Sequence, residues 1–143
     1  MRNRSHASST LGRLELFEAC SRRELAKVDS LLTMVTVPAG HVLMREGRTG
    51  NEFLIIASGQ AEVTKATGHG PSKVAELHGG EFVGEIALLQ GVPRTATVTA
   101  TTDLTAYVSS AAEFREILRS APAAATRITQ ASSLRSADLA VAA

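Results

Sequence analysis

Aromatic residues are scarce in this chain of 143 residues, which has no Trp, one Tyr and four Phe. Proteins that bind single-stranded nucleic acid stack the bases on aromatic side chains, so this composition argues against that class. An excess of one charge is also missing, because 15 Lys and Arg stand against 14 Asp and Glu and leave a formal charge of +1. Without a strongly positive surface, direct binding of nucleic acid is not expected.

Long apolar runs and paired cysteines are absent as well. The longest stretch without a charged residue, from Ser30 to Met44, is interrupted by Pro38 and Gly40. It falls well short of the roughly 20 apolar residues of a membrane helix. The N-terminal arginines flank no apolar block of the kind that a secretory signal needs. The single cysteine can form no internal disulfide, which suits a reducing compartment. We therefore expect a cytoplasmic protein that does not contact a membrane.

The chain has enough apolar material for one globular domain, since 44% of its residues are hydrophobic and 20% are charged. Residues 1–12 show no apolar periodicity and are predicted to form a disordered arm, which leaves a single domain over residues 13–143. Ser21 with Glu24 forms a capping box that predicts a helix from about residue 22 to 32. Ser110 with Glu113 predicts a second helix that ends near Ser120, and Pro122 opens a third that runs to about residue 142.

Between these helices, over about residues 34–109, short segments alternate apolar and polar residues with a period of two. Turn residues separate them into three pairs that resemble hairpins, with turns at residues 38–40, 58–59 and 68–71. No long crossover helix intervenes, which favours an antiparallel barrel or jelly roll over an α/β sheet. The predicted fold is mainly β: an antiparallel β-roll with an N-terminal helix, a short internal helix after Gly84 and two C-terminal helices.

The segment GEFVGEIALLQGVPRTATV, residues 80–98, carries the chemistry. Gly84 allows the backbone to approach a ligand closely, and the short helix after it offers unpaired N–H groups to an anion. Arg94 presents a planar fork that suits bidentate contact with a phosphate. A carboxylate in such a site would repel the anion, so Glu85 fits only if it faces a neutral donor such as a ribose hydroxyl. These parts indicate one ligand that has both a phosphate and a sugar.

This segment resembles the phosphate-binding cassette of the cyclic nucleotide-binding domain family, which occurs in protein kinase regulatory subunits, nucleotide-gated channels and catabolite-activator-type regulators. The stretch VLMREGRTGNEFLIIASGQAEV, residues 42–63, supports the resemblance through its ordered glycines, Gly47, Gly50 and Gly59. The resemblance covers about residues 14–118. It implies a β-roll that holds cAMP or cGMP.

The resemblance also implies roles for individual residues. Arg94 is expected on the cyclic phosphate, Glu85 on the ribose 2′-hydroxyl and Gly84 beside the sugar, while backbone amides at Ile86 or Ala87 also hold the phosphate. In this family a hydroxyl residue at the position of Thr95 can contact the phosphate or the guanine amino group, whereas Ala there usually accompanies a preference for cAMP. Thr95 therefore leaves both nucleotides open. A residue of the C-terminal helix often caps the base, and the candidates here are Leu134 and Arg135.

Other interpretations of the same residues compete with these. Arg94 could form an ion pair with Glu81 or Glu85 that only ties the roll together, and Glu85 could be an ordinary carboxylate at a helix N-terminus. The chain has four histidines, His6, His41, His69 and His78. They lack the His-x-His spacing with a downstream Glu that metal-binding cupins use, so no metal site is expected. No catalytic set with suitable spacing is apparent, so the chain is not expected to be an enzyme.

The leading hypothesis is a stand-alone cyclic-nucleotide receptor module without enzymatic activity. Ligand occupancy would be relayed to a protein partner as the C-terminal helices repack, with Ile128, Leu134 and Val141 on the apolar face that moves. The rival hypothesis is an orphan β-roll that has no nucleotide affinity and uses its helices to bind another protein. The last helix offers a thin apolar stripe for homodimerisation.

Overall fold

The computed structural model describes residues 11–142 of the chain, with side chains described for residues 11–136. Its elements follow the predicted order of helix, β-roll, helix and helix. The helices are α1, Arg22–Leu31; α2, Glu85–Gln90; α3, Ala111–Ser120; and α4, Pro122–Ala142, and a 3₁₀ turn, Glu15–Phe17, precedes them. The strands are β1, Thr33–Val37; β2, Val42–Met44; β3, Glu52–Ser58; β4, Ala61–Thr67; β5, Gly70–Leu77; β6, Phe82–Val83; β7, Thr97–Ala100; and β8, Leu104–Ser110. Within the described range, no helix combines the length and apolarity needed to cross a bilayer.

Both predicted capping boxes are present and fix the starts of α1 and α3. The Ser21 hydroxyl accepts the Glu24 backbone N–H at 3.1 Å, and the Glu24 carboxylate accepts the Ser21 N–H at 2.7 Å. The same reciprocal pair joins Ser110 and Glu113 at 3.1 and 2.9 Å. These bonds satisfy amides that a helix N-terminus otherwise leaves unpaired, so they set where each helix begins.

The eight strands form two antiparallel four-stranded sheets, in the orders β1-β8-β3-β6 and β2-β7-β4-β5. The predicted hairpin of β4 and β5 is confirmed, but the other two hairpins are wrong, because β1 and β2 lie in different sheets, as do β3 and β4. The connections from β1 to β2 and from β3 to β4 are corners of the roll. Each corner forms a hydrogen bond with the turn that joins β7 to β8. The Ala39 N–H binds the Asp103 carboxylate at 2.8 Å, and the Gln60 carbonyl accepts the Thr101 N–H at 3.0 Å. The corners therefore carry the chain from one sheet to the other.

Strand β3 lies at the centre of the packing and is buried on both faces. Phe53 and Ile55 join the cluster between the first sheet and the helices, whereas Leu54 and Ile56 join the cluster between the two sheets. Successive side chains of a strand point to opposite faces, so one apolar run serves both cores. The Phe53 ring lies 4.6 Å from that of Phe114 on α3, which fixes the C-terminal helices against the roll.

The two ends of the chain differ in part from the predictions. The predicted arm over residues 1–12 lies outside the described residues up to residue 10, but Leu11 is fully buried in the helix-side core. Leu11 therefore belongs to the folded core, although the sequence analysis placed it in the disordered arm. On α4, Ile128 is fully buried, whereas Leu134 is 69% exposed and does not belong to the packed face. The side chain of Val141 lies outside the described residues.

Candidate functional site

A cavity of about 190 Å³ opens between the sheet that contains β4 and β5, the segment from β6 to β7, and helix α4. The structure brings all six predicted site residues together in its lining. They are Gly84, Glu85, Ile86, Ala87, Arg94 and Thr95. The cavity wall also includes Arg135, which the sequence analysis named only as a candidate for capping the base, and apolar side chains of β4 and β5, which it did not assign to the site.

Gly84 is the position where the backbone turns from β6 into α2. Its φ of +100° lies in the left-handed region that favours glycine. A Cβ atom here would lie 2.7 Å from the Glu52 carbonyl oxygen, 2.8 Å from the Met44 methyl carbon and 3.0 Å from Arg94 Nη1. Glycine is therefore required both by the backbone conformation and by the close approach of the arginine.

Arg94 reaches the cavity with its side chain only 8% exposed. Its Nη1 donates to the Gly84 carbonyl at 3.2 Å, and its Nη2 donates to the Glu52 carbonyl at 2.8 Å. Burial lowers the pKa of Arg94, and the nearby Glu52 and Glu85 charges oppose that effect. Among the side chains of residues 11–136, no carboxylate lies within 4.0 Å of this guanidinium. The alternative ion pair with Glu81 or Glu85 is thus not formed.

The loop between β2 and β3 holds Arg94 in place. The Arg94 N–H donates to the Arg48 carbonyl at 2.8 Å, and the Arg94 carbonyl accepts the Gly47 N–H at 2.8 Å. The guanidinium passes over Gly50, where a Cβ atom would lie 2.1 Å from Arg94 Cζ. Gly50 contributed only to the family resemblance in the sequence analysis. Its close approach to the Arg94 side chain is a contact between residues far apart in the sequence, and it is seen only in the folded structure.

Glu85 is the first residue of α2 and is the most deeply buried charged side chain among the described residues, at 1% exposure. Desolvation raises the pKa of this carboxyl, while the positive charges of Arg135 and Arg94 partly lower it. An ordinary helix N-terminal carboxylate is exposed to solvent, so helix-dipole stabilisation alone does not account for this position.

Arg135 on α4 is the partner of Glu85. Its Nη1 lies 3.0 Å from each carboxylate oxygen of Glu85 and 2.7 Å from the Phe82 carbonyl oxygen. The guanidinium carbon also lies 4.8 Å from the centre of the Phe82 ring, within the range of a cation–π contact. Of the two capping candidates, Arg135 thus lines the cavity, whereas Leu134 is exposed.

The far wall of the cavity is apolar and comes from the β4–β5 hairpin. Val63, Val74, Ala75 and Leu77 line it. The pairing register shifts between Val63, opposite Ala75, and Thr64, opposite Lys73, so Val74 is an extra residue in β5. Such a bulge re-aims side chains, and here Val74 and Ala75 both contribute to the wall. The cavity therefore offers a cation, a carboxylate and an apolar surface to one small molecule.

A β-roll with a buried arginine, a buried carboxylate and an apolar wall around one cavity has the features of a domain that binds a small molecule. The family model for the cyclic nucleotide-binding domain matches residues 34–121, more than half of the chain. The chain belongs to the cyclic nucleotide-binding domain family, which confirms the family suggested by the resemblance.

Relatives of this chain include proteins of different overall organisation. It is 35% identical over 111 residues to acetyltransferase Pat of Mycolicibacterium smegmatis, covering 78% of this chain and 33% of that protein. It is 41% identical over 85 residues to a cAMP-dependent protein kinase regulatory subunit of Mycosarcoma maydis, covering 59% of this chain and 16% of that protein. The chain thus spans a third or less of these relatives.

Solved structures support the fold over most of the described range. The regulatory domain of Toxoplasma gondii PKA, crystallised with cAMP, superimposes with a TM-score of 0.81 at 26% identity, covering 91% of this chain and 50% of that chain. The catabolite activator protein of Thermus thermophilus superimposes with a TM-score of 0.76 at 26% identity, covering 88% of this chain and 61% of that chain. The predicted β-roll with flanking helices is therefore confirmed.

Proposed function

We propose that this protein binds a cyclic nucleotide, cAMP or cGMP, in the described cavity and acts as a regulatory module without enzymatic activity. The observation that carries the proposal is the convergence of two buried charged groups on one cavity, the Arg94 guanidinium and the Glu85 carboxylate. Burial of a charge is costly unless a partner compensates for it, and Arg94 has only carbonyl partners within the described residues. An anionic ligand would supply the missing charge.

The cyclic phosphate is assigned to Arg94. A guanidinium has five N–H donors, and the bonds to the Gly84 and Glu52 carbonyls use one donor on each terminal nitrogen. These bonds fix the plane of the fork before a ligand arrives, so little side-chain entropy is lost on binding. The Ile86 and Ala87 amides belong to the first turn of α2, where N–H groups lack intrahelical acceptors, and they are assigned to the same phosphate.

The ribose is assigned to Glu85 and Gly84, and the base to the apolar wall. A carboxylate accepts hydrogen bonds from a hydroxyl, so the 2′-hydroxyl is the group that matches Glu85. Gly84 leaves room for the sugar, because any side chain there would displace Arg94 or Met44. Val63, Val74 and Leu77 offer apolar contact to a purine ring. Thr95 at the cavity supports either base, so both nucleotides remain in the proposal.

Occupancy is proposed to reach a protein partner through α3 and α4. Helix α4 touches the cavity through Arg135, and its Ser136 hydroxyl accepts a bond from the Gln90 side chain of α2 at 2.7 Å. Nearer its start, Arg127 binds the Glu18 carboxylate at 2.6 Å and the Glu15 carbonyl. A ligand can shift such a helix only by binding one arrangement better than another. The effector would be a separate protein or another part of a longer chain.

Isothermal titration calorimetry with cAMP and cGMP tests the proposal, and 5′-AMP serves as a control that carries an uncyclised phosphate. We expect saturable heat with at least one cyclic nucleotide at micromolar protein, and weaker binding of 5′-AMP. If neither cyclic nucleotide gives heat, the rival hypothesis of an orphan interaction module replaces this one. The comparison of the two cyclic nucleotides also determines the preferred base.

A further inference from the structure

Arg135 is held at the cavity by contacts that do not depend on Glu85 alone. Its Nη1 carries two hydrogens but has three acceptors in reach, the Phe82 carbonyl at 2.7 Å and the two Glu85 carboxylate oxygens at 3.0 Å each. The Phe82 ring lies under the guanidinium, and the side chain of Arg135 is 30% exposed. The backbone carbonyl and the ring therefore fix the guanidinium, and the carboxylate binds to a cation that is already oriented.

Glu85 keeps acceptor capacity in this arrangement. Its two oxygens offer about four lone-pair sites. When one Nη1 hydrogen bonds the Phe82 carbonyl, the other is shared between the two carboxylate oxygens and uses about one lone-pair site on each. The Glu85 backbone N–H takes another site, which leaves acceptor capacity for one ligand hydroxyl. Arg135 and a ligand hydroxyl can thus bind the same carboxylate together. The contact supports ligand binding rather than blocking it.

The anionic form of Glu85 depends on the positive charge of Arg135. The charged side chains that face it are Arg135 from α4 and Arg94 from the segment before β7, and both favour its anionic form against desolvation. Arg94 is assigned to the ligand phosphate, whose negative charge would cancel its effect on Glu85. With ligand present, Arg135 is the cation that remains available to the carboxylate.

We infer that Arg135 is a positioning residue: it holds the Glu85 carboxylate in place for the sugar hydroxyl, so that recognition of the 2′-hydroxyl depends on the docking of α4. The inference rests on the proposed function, since it assigns a specificity role within the same cavity. Reciprocity then requires that a ligand with the 2′-hydroxyl favour docked α4 more than its 2′-deoxy analogue does. Helix docking and sugar recognition become one linked equilibrium.

The test compares calorimetric affinities for the preferred cyclic nucleotide and its 2′-deoxy analogue in wild type, R135Q, R135K and R119Q. The control R119Q removes an exposed arginine of α3 whose ion pair with Glu116 stays within that helix and outside the cavity. We expect a penalty of about tenfold or more for the 2′-deoxy analogue in wild type and in R119Q. This 2′-deoxy penalty should fall below about threefold in R135Q. In R135K part of the penalty should remain, because the positive charge is kept.

A pH profile separates positioning from a purely structural role. Arg135 favours the anionic form of Glu85, so removing it raises the pKa of this carboxyl further. As the pH is lowered, the 2′-deoxy penalty of R135Q should therefore begin to shrink at a higher pH than the penalty of wild type. A merely destabilised helix would lower both affinities without this pH dependence.

The outcomes distinguish the inference from the proposed function. If wild type binds no cyclic nucleotide, both fail. If wild type binds with a large 2′-deoxy penalty and R135Q keeps the same penalty at every pH, the function stands and the inference is overturned. Tighter binding of the ligand with the 2′-hydroxyl by R135Q would also overturn it, because Arg135 would then compete with that hydroxyl for Glu85.

Discussion

The substitution Gly50→Ala tests whether the β2–β3 loop positions Arg94, the residue that we propose binds the phosphate. Gly50 does not have a left-handed backbone, so alanine adds no conformational strain there. Its Cβ atom would lie 2.1 Å from both Cζ and Nε of Arg94 and 2.7 Å from Cδ. No carbon atoms pack at such distances, so the guanidinium has to move.

The size of the effect follows from that distance. Ordinary contact begins near 3.4 Å, so Arg94 must shift by at least about 1 Å and lose its bonds to the Gly84 and Glu52 carbonyls. A misplacement of about 1 Å in a positioned group can cost about 100-fold in function. We expect cyclic-nucleotide affinity to fall by about 10- to 100-fold, or about 1.4 to 2.7 kcal/mol.

Calorimetry with the preferred cyclic nucleotide measures this loss, and Gly68→Ala provides the control. Gly68 lies at the tip between β4 and β5, also avoids a left-handed φ, and has no atom within 4 Å of an added Cβ. The same methyl group is thus added without a clash. Wild-type affinity in Gly50→Ala, or an equal loss of affinity in both variants, would refute the claim that the β2–β3 loop positions Arg94.

Three further substitutions test other parts of the structure. Arg94→Ala should weaken cyclic-nucleotide binding by about 3 to 5 kcal/mol, because it leaves a buried phosphate without its cation; a calorimetric loss below about tenfold would contradict that role. In wild type, Glu85 should make the unfolding free energy fall with rising pH between the ordinary carboxyl pKa and its own raised pKa, since the folded chain holds this proton more tightly than the unfolded chain. Glu85→Gln should remove that fall, and parallel profiles for both proteins in chemical denaturation would exclude the carboxyl as its source. Ser110→Ala should lower the unfolding free energy by about 1 kcal/mol through loss of the cap on the Glu113 N–H, and an unchanged denaturation midpoint would argue against it.

Local sequence signals predicted the elements of this fold well but not the pairing of its strands. Ser21 and Ser110 mark helix starts because a capping box is complete within four residues. A period of two shows which side chains share a face of a strand, but it does not identify the neighbouring strand. The turn at Pro38–Gly40 has the residues of a hairpin turn. Its backbone N–H groups instead bond to Ala100 and Asp103, about 60 positions along the chain, and no local signal shows these contacts.

The same limit applies to the cavity. The residues from Gly84 to Thr95 were predicted because the chemistry of one phosphate and one sugar is concentrated in a short segment. Arg135 was named only as a capping candidate, since its contact with Glu85 joins residues 50 positions apart. The bulge at Val74 depends on the register of two paired strands, which composition and periodicity do not encode.

The contacts that position Arg94 have a consequence for protein engineering. A graft of residues 84–95 into another β-roll would carry the guanidinium but not the Glu52 carbonyl, the backbone pairing with residues 47 and 48, or the open space above Gly50. The transplanted arginine would then sample several rotamers. Residues 47–52 and 84–95 form one exchangeable unit, and chimeras of this family should inherit both segments from the same parent.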